Sequence, residues 1–428
     1  MGKISPAGEA GVRHCNLMTP SNAALLGLTL AAIVGLVILV AHFKVNAFIA
    51  LVLASLFVGV LSGKPLLEIA KAFQDGVGTT LAFIAVVVGL GTMLGKMLAE
   101  SGGAEVIAAR FIRLFGQQRL PWALVFVSFI VGLPVFFGVG LVLLVPILFT
   151  LARDTRLPLL TLGIPVVAGL SASHGLVPPH PGPLFAIGVL GADVGKTILY
   201  SIIVGIPAAI LAGPVFGAIV GHRIPVEPGG IGATLSSSGT QKRCPSFGIA
   251  LFTILLPVLL MLAATVADLT LPERNRLRAW ADFVGTPLVA MLAAVVLSLF
   301  TFGFNCGFNR TQILKFTEDC VGPAASIMLI VGAGGGFSKV LHVVGAADAI
   351  ANTVKGTGVS PILFAWLLAA VVRVAVGSAT VSISLCAGIV APVAAAHPNV
   401  SRELLVLAMG AGSVIFSHVN DGGFWFVK

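Results

Sequence analysis

Leu120-Pro-Trp-Ala-Leu-Val-Phe-Val-Ser-Phe-Ile-Val-Gly132-Leu-Pro134-Val-Phe-Phe-Gly138-Val-Gly140-Leu-Val-Leu-Leu-Val-Pro146-Ile-Leu-Phe-Thr-Leu151 is an unbroken run of 32 residues without a charge. About 20 apolar residues suffice to cross the hydrocarbon core of a bilayer. The run is therefore too long for one crossing, and Pro134, Gly138, Gly140 and Pro146 interrupt it. Proline removes a backbone donor and glycine relaxes the chain. The stretch reads as two helical pieces joined by a turn inside the membrane, a broken helix or re-entrant hairpin. Such irregular backbone is tolerated at membrane depth only where protein or a cavity surrounds it.

Working outward, apolar runs of spanning or half-spanning length recur at 23–41, 45–62, 80–98, 157–172, 198–220, 247–268, 284–302, 323–341, 361–376, 379–396 and 403–418. The expected fold is all-α, a polytopic membrane protein of about 11–12 helical segments. Composition agrees: 57% of the 428 residues are hydrophobic, 10% are charged and the mean hydropathy is +1.08. A soluble domain carries about 25% charged residues. A β-barrel would need alternating segments of about 10 residues, and these runs are continuous. The net charge of +9 is spread over short connections, such as Arg110, Arg113 and Arg119 or Arg274, Arg276 and Arg278. That is the positive-inside pattern of membrane proteins and excludes nucleic acid as a partner. Five cysteines without CxxC spacing give neither a disulfide framework nor a metal site. Residues 1–21 are polar and precede a run long enough to span, so no cleavable signal peptide is expected.

The chain divides into a polar N-terminal segment (1–21), N-terminal membrane helices (22–78), a first transport repeat (79–220), a polar linker (221–246), further membrane helices with a charged connection (247–322) and a second transport repeat (323–428). The repeats align without a gap from Gly89 to Glu105 and from Gly332 to Asp348, with Gly89/Gly332, Gly91/Gly334, Lys96/Lys339, Leu98/Leu341, Gly102/Gly345 and Ala104/Ala347 identical. Leu120-Pro121 then falls opposite Ser360-Pro361, and Ser173-His174 opposite Ser417-His418. Paired units of this length are a feature of secondary transporters, whose substrate sites lie where the units meet near the midplane. The first unit continues through another apolar helix after Ser173-His174, so the second is expected to lack its last helix.

Ionisable side chains within apolar runs are functional candidates. Arg373 is followed by Gly377, Ser378 and Thr380. A helix broken there would aim amides, hydroxyls and a guanidinium at an anion; the alternative is an arginine that snorkels to the interface. Ser173, His174 and His180, within a run holding Pro178, Pro179, Pro181 and Pro183, are a second cluster, and these prolines are expected to forbid regular helix. A third is Ser417-His418-Val-Asn420-Asp421-Gly-Gly-Phe-Trp425. Asp421 and His418 are the expected proton-coupling residues, and the alternative for this string is a turn outside the membrane with a Trp anchor. Lys96 and Lys339 read as helix-terminal residues, and the Gly332–Gly336 run as a site of close helix packing. No HExxH, GxSxG or Walker A motif is present. A hydrolase using Ser173 or Ser417 would have poor geometry, since adjacent Ser and His point apart on a helix.

Gly332-Ala-Gly-Gly-Gly-Phe-Ser-Lys339, Arg373-Val-Ala-Val-Gly377-Ser-Ala-Thr380, His174-Gly-Leu-Val-Pro178-Pro-His180-Pro-Gly-Pro183 and Ser417-His-Val-Asn-Asp421-Gly-Gly-Phe-Trp425 together resemble the gluconate:proton symporter family of the ion-transporter superfamily. The resemblance covers nearly the whole chain. It implies a multi-pass secondary transporter of the cytoplasmic (inner) membrane, a homodimer working by alternating access, with no cofactor and no enzymatic activity. It also implies a small anionic substrate, gluconate or a related sugar acid, carried with a proton; some relatives take D-serine or glycerate. Members usually have Gln where this chain has Val376, so the resemblance implies that sugar-hydroxyl recognition is expected to differ here. On this reading Arg373, Gly377, Ser378, Thr380, Ser173, His174, His180 and Asn420 bind substrate, while Asp421 and His418 couple the proton. A sodium-coupled carboxylate carrier is the other transport reading.

Overall fold

The computed structural model describes residues 21–224 and 245–417. The N-terminal polar segment, most of the 221–246 linker and the candidates His418, Asn420 and Asp421 lie outside the described residues.

The apolar runs form helices, because inside lipid a helix satisfies every backbone donor within its own segment. In chain order they are α1 (Asn22–Ala41), α2 (Ala47–Leu61), α3 (Leu66–Glu100), α4 (Gly103–Phe115), α5 (Leu120–Gly132), α6 (Phe137–Thr155), α7 (Leu159–Leu176), α8 (Pro181–Leu190) and α9 (Val194–Ile210). A π-helical turn, Leu211–Val215, carries α9 into α10 (Phe216–Arg223). The second part holds α11 (Phe247–Thr270), α12 (Arg276–Gly285), α13 (Pro287–Ser298), α14 (Arg310–Asp319), α15 (Val321–Val343), α16 (Ala346–Thr357), α17 (Pro361–Val376), α18 (Ala379–Ala396) and α19 (Arg402–Ser413). Among the described residues there is no strand. Among the described residues nine helical stretches are long and apolar enough to cross a membrane, and α2 and α17 are shorter apolar helices. This is a multi-pass, all-α membrane protein.

Three differences from the sequence reading have plain causes. The 35-residue α3 extends well ahead of the expected 80–98. At 1.5 Å per residue it is about 52 Å long, against a hydrocarbon core of about 30 Å, and its first turns carry Glu68, Lys71 and Asp75, which hide them from a hydropathy reading. The short helices α4, α12, α14 and α16 bear charges on one face and are too brief to register as spans. The proline run after His174 does not exclude helix: α7 continues to Leu176, and α8 starts at Pro181. Pro181 and Pro183 occupy its first turn, where the missing N–H groups have no partner to lose.

The 120–151 run is divided as its prolines suggest, into α5 and α6 with a break at 133–136. Elements recur in one order on either side of the linker: a long helix, a short amphipathic one, an apolar helix, a break and two more apolar helices. Gly102 (φ 74°) and Gly345 (φ 81°), opposite each other in the sequence alignment, both hold left-handed geometry at the start of the short helix. The turn from α4 into α5 bends by 108°.

Small residues decide how closely helices approach in lipid, where the hydrophobic effect does not drive their association. At the α3–α15 crossing, Gly76 lies against Gly335 and Gly336, and Gly335 against the Thr80 hydroxyl. The expected packing role of the Gly332–Gly336 run is thereby met. α7 presses Gly169 onto Ser128 and Val125 of α5, while α19 presses Gly412 onto the Trp366 carbonyl and Ala369 of α17. α7 and α19 cross at Gly175 and Gly410. These pairs enclose α8 and α18, whose side chains are almost all buried. The broken backbone is thus wrapped in protein, as an unwound segment at membrane depth must be.

Candidate functional site

The break between α17 and α18 spans two residues. Gly377 closes α17 at φ 78°, a conformation open to glycine because no Cβ meets the following carbonyl. Ser378 is extended, and its hydroxyl accepts from the Val381 N–H at 3.4 Å to cap α18. Arg373, one turn before the glycine, is 6% exposed, so it is buried rather than snorkelling. Its Nη1 donates to the Gly377 carbonyl at 2.6 Å and its Nε to the Phe416 carbonyl at 3.0 Å. The guanidinium thus ties the end of α17 to the chain leaving α19.

The α7–α8 break, Val177 to His180, meets the α5–α6 break. His180 Nε2 lies 2.6 Å from the Gly132 carbonyl. A carbonyl only accepts, so Nε2 carries the hydrogen and Nδ1 is the basic nitrogen of the neutral ring. His174, in the last turn of α7, stands edge-to-face with His180 at 4.8 Å between ring centroids. Its Nε2 is 3.4 Å from the Thr380 hydroxyl in the first turn of α18, and its Nδ1 is buried without a hydrogen-bond partner. Phe136, the residue before α6, sets its ring 6.2 Å from both imidazoles. A cavity of about 10 Å³ lies among His180, Phe136, Pro134, Val87, Gly91 and Met291, room for about one water.

His174, His180, Thr380, Gly377, Ser378 and Arg373 therefore share one region, although they come from three helices and two distant parts of the chain. Ser173 is adjacent but fully buried, and its hydroxyl donates to the Leu170 carbonyl at 3.1 Å. It faces Gly132, where any Cβ would collide with that hydroxyl. Ser173 thus sits as a packing residue of α7, with no histidine partner for a nucleophile. Lys96 pairs with Glu100 at 2.8 Å along α3. Sequence reasoning missed the Gly132 and Phe416 carbonyls and the Phe136 ring; only the neighbouring prolines and the helix ends hinted at free backbone there. A separate cavity of about 770 Å³ between α6, α7, α9, α10 and α19 has Ser171 as the only polar side chain among its lining residues, which does not suit a polar ligand.

Beyond α8, a second set of contacts joins the loop before α9 to the start of α19. Glu403 accepts the Asp193 N–H at 3.1 Å and the Ser401 hydroxyl at 2.6 Å, and Arg402 donates to the Gly191 carbonyl at 3.4 Å. Partial burial works to raise the Glu403 carboxyl, but the Ser401 hydroxyl, its own and the Asp193 amides, and nearby Lys196 outweigh it and hold it below the usual value.

A profile described as GntP family permease matches residues 24–428. A gluconate permease of Pseudomonas aeruginosa is 51% identical over 93% of this chain and 89% of its own length. A high-affinity gluconate transporter of Escherichia coli is 44% identical (92% and 89%), and the D-serine transporter DsdX of the same species is 39% identical (93% and 89%). Among solved structures, the Alcanivorax borkumensis YdaH transporter aligns with a TM-score of 0.58 at 16% identity, over 95% of this chain and 90% of that one; this likeness concerns the fold alone.

Proposed function

Because the chain belongs to the GntP permease family and is a membrane transporter rather than an enzyme, we propose that it carries gluconate or a related small sugar acid across the cytoplasmic membrane together with a proton, by alternating access. The observation that carries this reading is the meeting of broken helix ends around Arg373, Thr380 and the two histidines. Ends of α6 and α18 offer amides, Ser378 and Thr380 offer hydroxyls, and the guanidinium supplies a positive charge, which together suit a hydroxylated monocarboxylate. Arg373 would release a backbone carbonyl to grip the carboxylate, with Ser173 behind the cavity wall and Asn420 completing it. Asp421 and His418 remain the proposed proton-coupling groups. The common element order on either side of the linker supports two related repeats, one moving part built on α5–α8 and α17–α19, and a homodimeric assembly is proposed from the family resemblance.

The test is uptake by the full-length protein in proteoliposomes. Gluconate added outside is expected to draw protons inward and alkalinise the external medium. Uptake that requires sodium instead would establish a sodium-coupled carrier. A D-serine substrate is the second reading, favoured by the 39% identity to DsdX, and competition of labelled gluconate uptake by D-serine decides between them.

A further inference from the structure

Two imidazoles 4.8 Å apart, His180 buried and His174 half-buried with its Nδ1 out of reach of solvent, are a particular chemical object. Like charges at that separation cannot both exist away from water, so the pair holds one proton at most and titrates as a unit. Its hydrogen-bonding is also lopsided. His180 Nε2 is committed to the Gly132 carbonyl, whereas His174 Nδ1 has no partner in a buried position. A buried polar group left unpaired is costly, and a ligand oxygen at this place would remove the cost.

From this geometry we infer that the His174–His180 pair is the site of the transported proton, and that protonated His174 donates from Nδ1 to an oxygen of the bound substrate. The inference rests on the proton-coupled reading above and assigns the coupling to residues other than Asp421 and His418. The chain of contacts from His174 to Thr380, and from Gly377 to Arg373, places the pair beside the proposed carboxylate site. With that site empty, Arg373 repels a proton on the pair. A bound carboxylate cancels the repulsion and accepts the new N–H, so each ligand raises affinity for the other, as linkage requires. One proton enters from solution, one imidazole becomes imidazolium, and proton and monocarboxylate cross as a neutral load.

The surrounding elements offer little competition. α5, α7, α8 and the 133–136 break hold no other ionisable group, and α18 adds only the buried Cys386 thiol. On α3, Lys96 is paired with Glu100, and Glu68, Lys71 and Asp75 lie in its distant first turns. α15 carries Lys339 and His342 toward its far end. α6 and α10 bear Arg153, Asp154 and Arg223 in their last turns, and α9 and α19 bear Lys196, Arg402 and Glu403 in their first. Among the described residues Arg373 is the charge that faces the pair.

The experiment measures protons taken up per gluconate bound, by calorimetry of the full-length protein in two buffers of different ionisation enthalpy. Wild type is expected to take up about one proton per gluconate, with affinity falling as pH rises. His174→Gln alone, and together with His180→Gln in a double variant, is expected to bring uptake near zero and flatten the pH dependence, with binding weakened about tenfold by loss of the charged donor. His180→Gln can still donate to the Gly132 carbonyl, which preserves the break. Infrared difference spectra of wild type on adding gluconate supply a reading free of substitution: imidazolium bands should appear. If both variants keep a full proton per gluconate, or no imidazolium forms while protons are taken up, the assignment to this pair is overturned and the symport reading stands. If wild type binds gluconate with no proton uptake, the symport reading itself falls and takes this inference with it.

Discussion

The α5–α6 break and the α17–α18 break occupy corresponding places in the chain, yet they are made differently. The first spends four residues, Leu133 to Phe136, and proline interrupts it; Phe136 leads into α6 without a side-chain cap. The second takes two residues, a left-handed glycine and a capping serine, and only it has an arginine one turn upstream. A proline break leaves carbonyls unpaired, and here the Gly132 carbonyl is taken by His180. A glycine break leaves a carbonyl that Arg373 takes. The same need, satisfying freed backbone in a dry interior, is met by a neutral imidazole on one side and a fixed cation on the other. On the proposed function the difference places charge recognition: the second break offers an anion a guanidinium, and the first offers uncapped amides.

Arg373→Ala should break the comparison outright. It removes the charge and orphans the Gly377 and Phe416 carbonyls. Loss of a charge-assisted contact, about 1.5–3 kcal/mol, corresponds to gluconate binding weakened about 10- to 150-fold, read by equilibrium binding; unchanged affinity would remove Arg373 from the site. Next comes the proline-bearing side. Gly132→Ala drives a methyl group into the Ser173 hydroxyl and Leu170, with an expected cost of about 1–3 kcal/mol from overpacking, seen as a lower melting temperature in detergent. Gly377→Ala probes the other break. Its left-handed φ should cost about 1–2 kcal/mol, and unaltered stability would show that the turn does not depend on glycine. Ser378→Ala removes the cap of α18 and is expected to cost about 1 kcal/mol, or less given its 3.4 Å length.

The smallest effect concerns the contacts at Glu403. Its carboxyl is held below the ordinary value of 4.5 in the fold, so the stabilisation is complete above that pH and is lost as pH falls through the lower, folded-state value. The melting temperature in detergent is expected to carry a component that falls only as pH drops through that value. Glu403→Gln should abolish that dependence while leaving the Asp193 amide an acceptor.

Much of the fold was legible in the residues. Pro134 marked a break, the Gly377-Ser378 pair marked another, and Gly334–Gly336 marked a crossing, because proline and glycine act on their own backbone. Arg373 stood out through its cost in an apolar helix. The site's contacts were not legible. His180 reaches across 48 residues to Gly132, Arg373 across 43 to Phe416, and His174 across 206 to Thr380. Which carbonyl a donor finds is a property of how helices cross, and no local pattern carries it. For the same reason Ser173 read as a ligand residue, though it spends its hydroxyl within α7.

What the sequence determined by itself is the solvent and the element: a chain this apolar and this poor in charge must live in lipid as helices, broken where proline or glycine forbids the ladder. What the tertiary structure alone decided is which broken ends meet. Gly169, Gly175, Gly410 and Gly412 let α5, α7, α17 and α19 approach until their frayed ends face one another. Only that approach brings scattered histidines and one arginine into one region, because hydrogen bonds act over about 3 Å while sequence separation carries no distance.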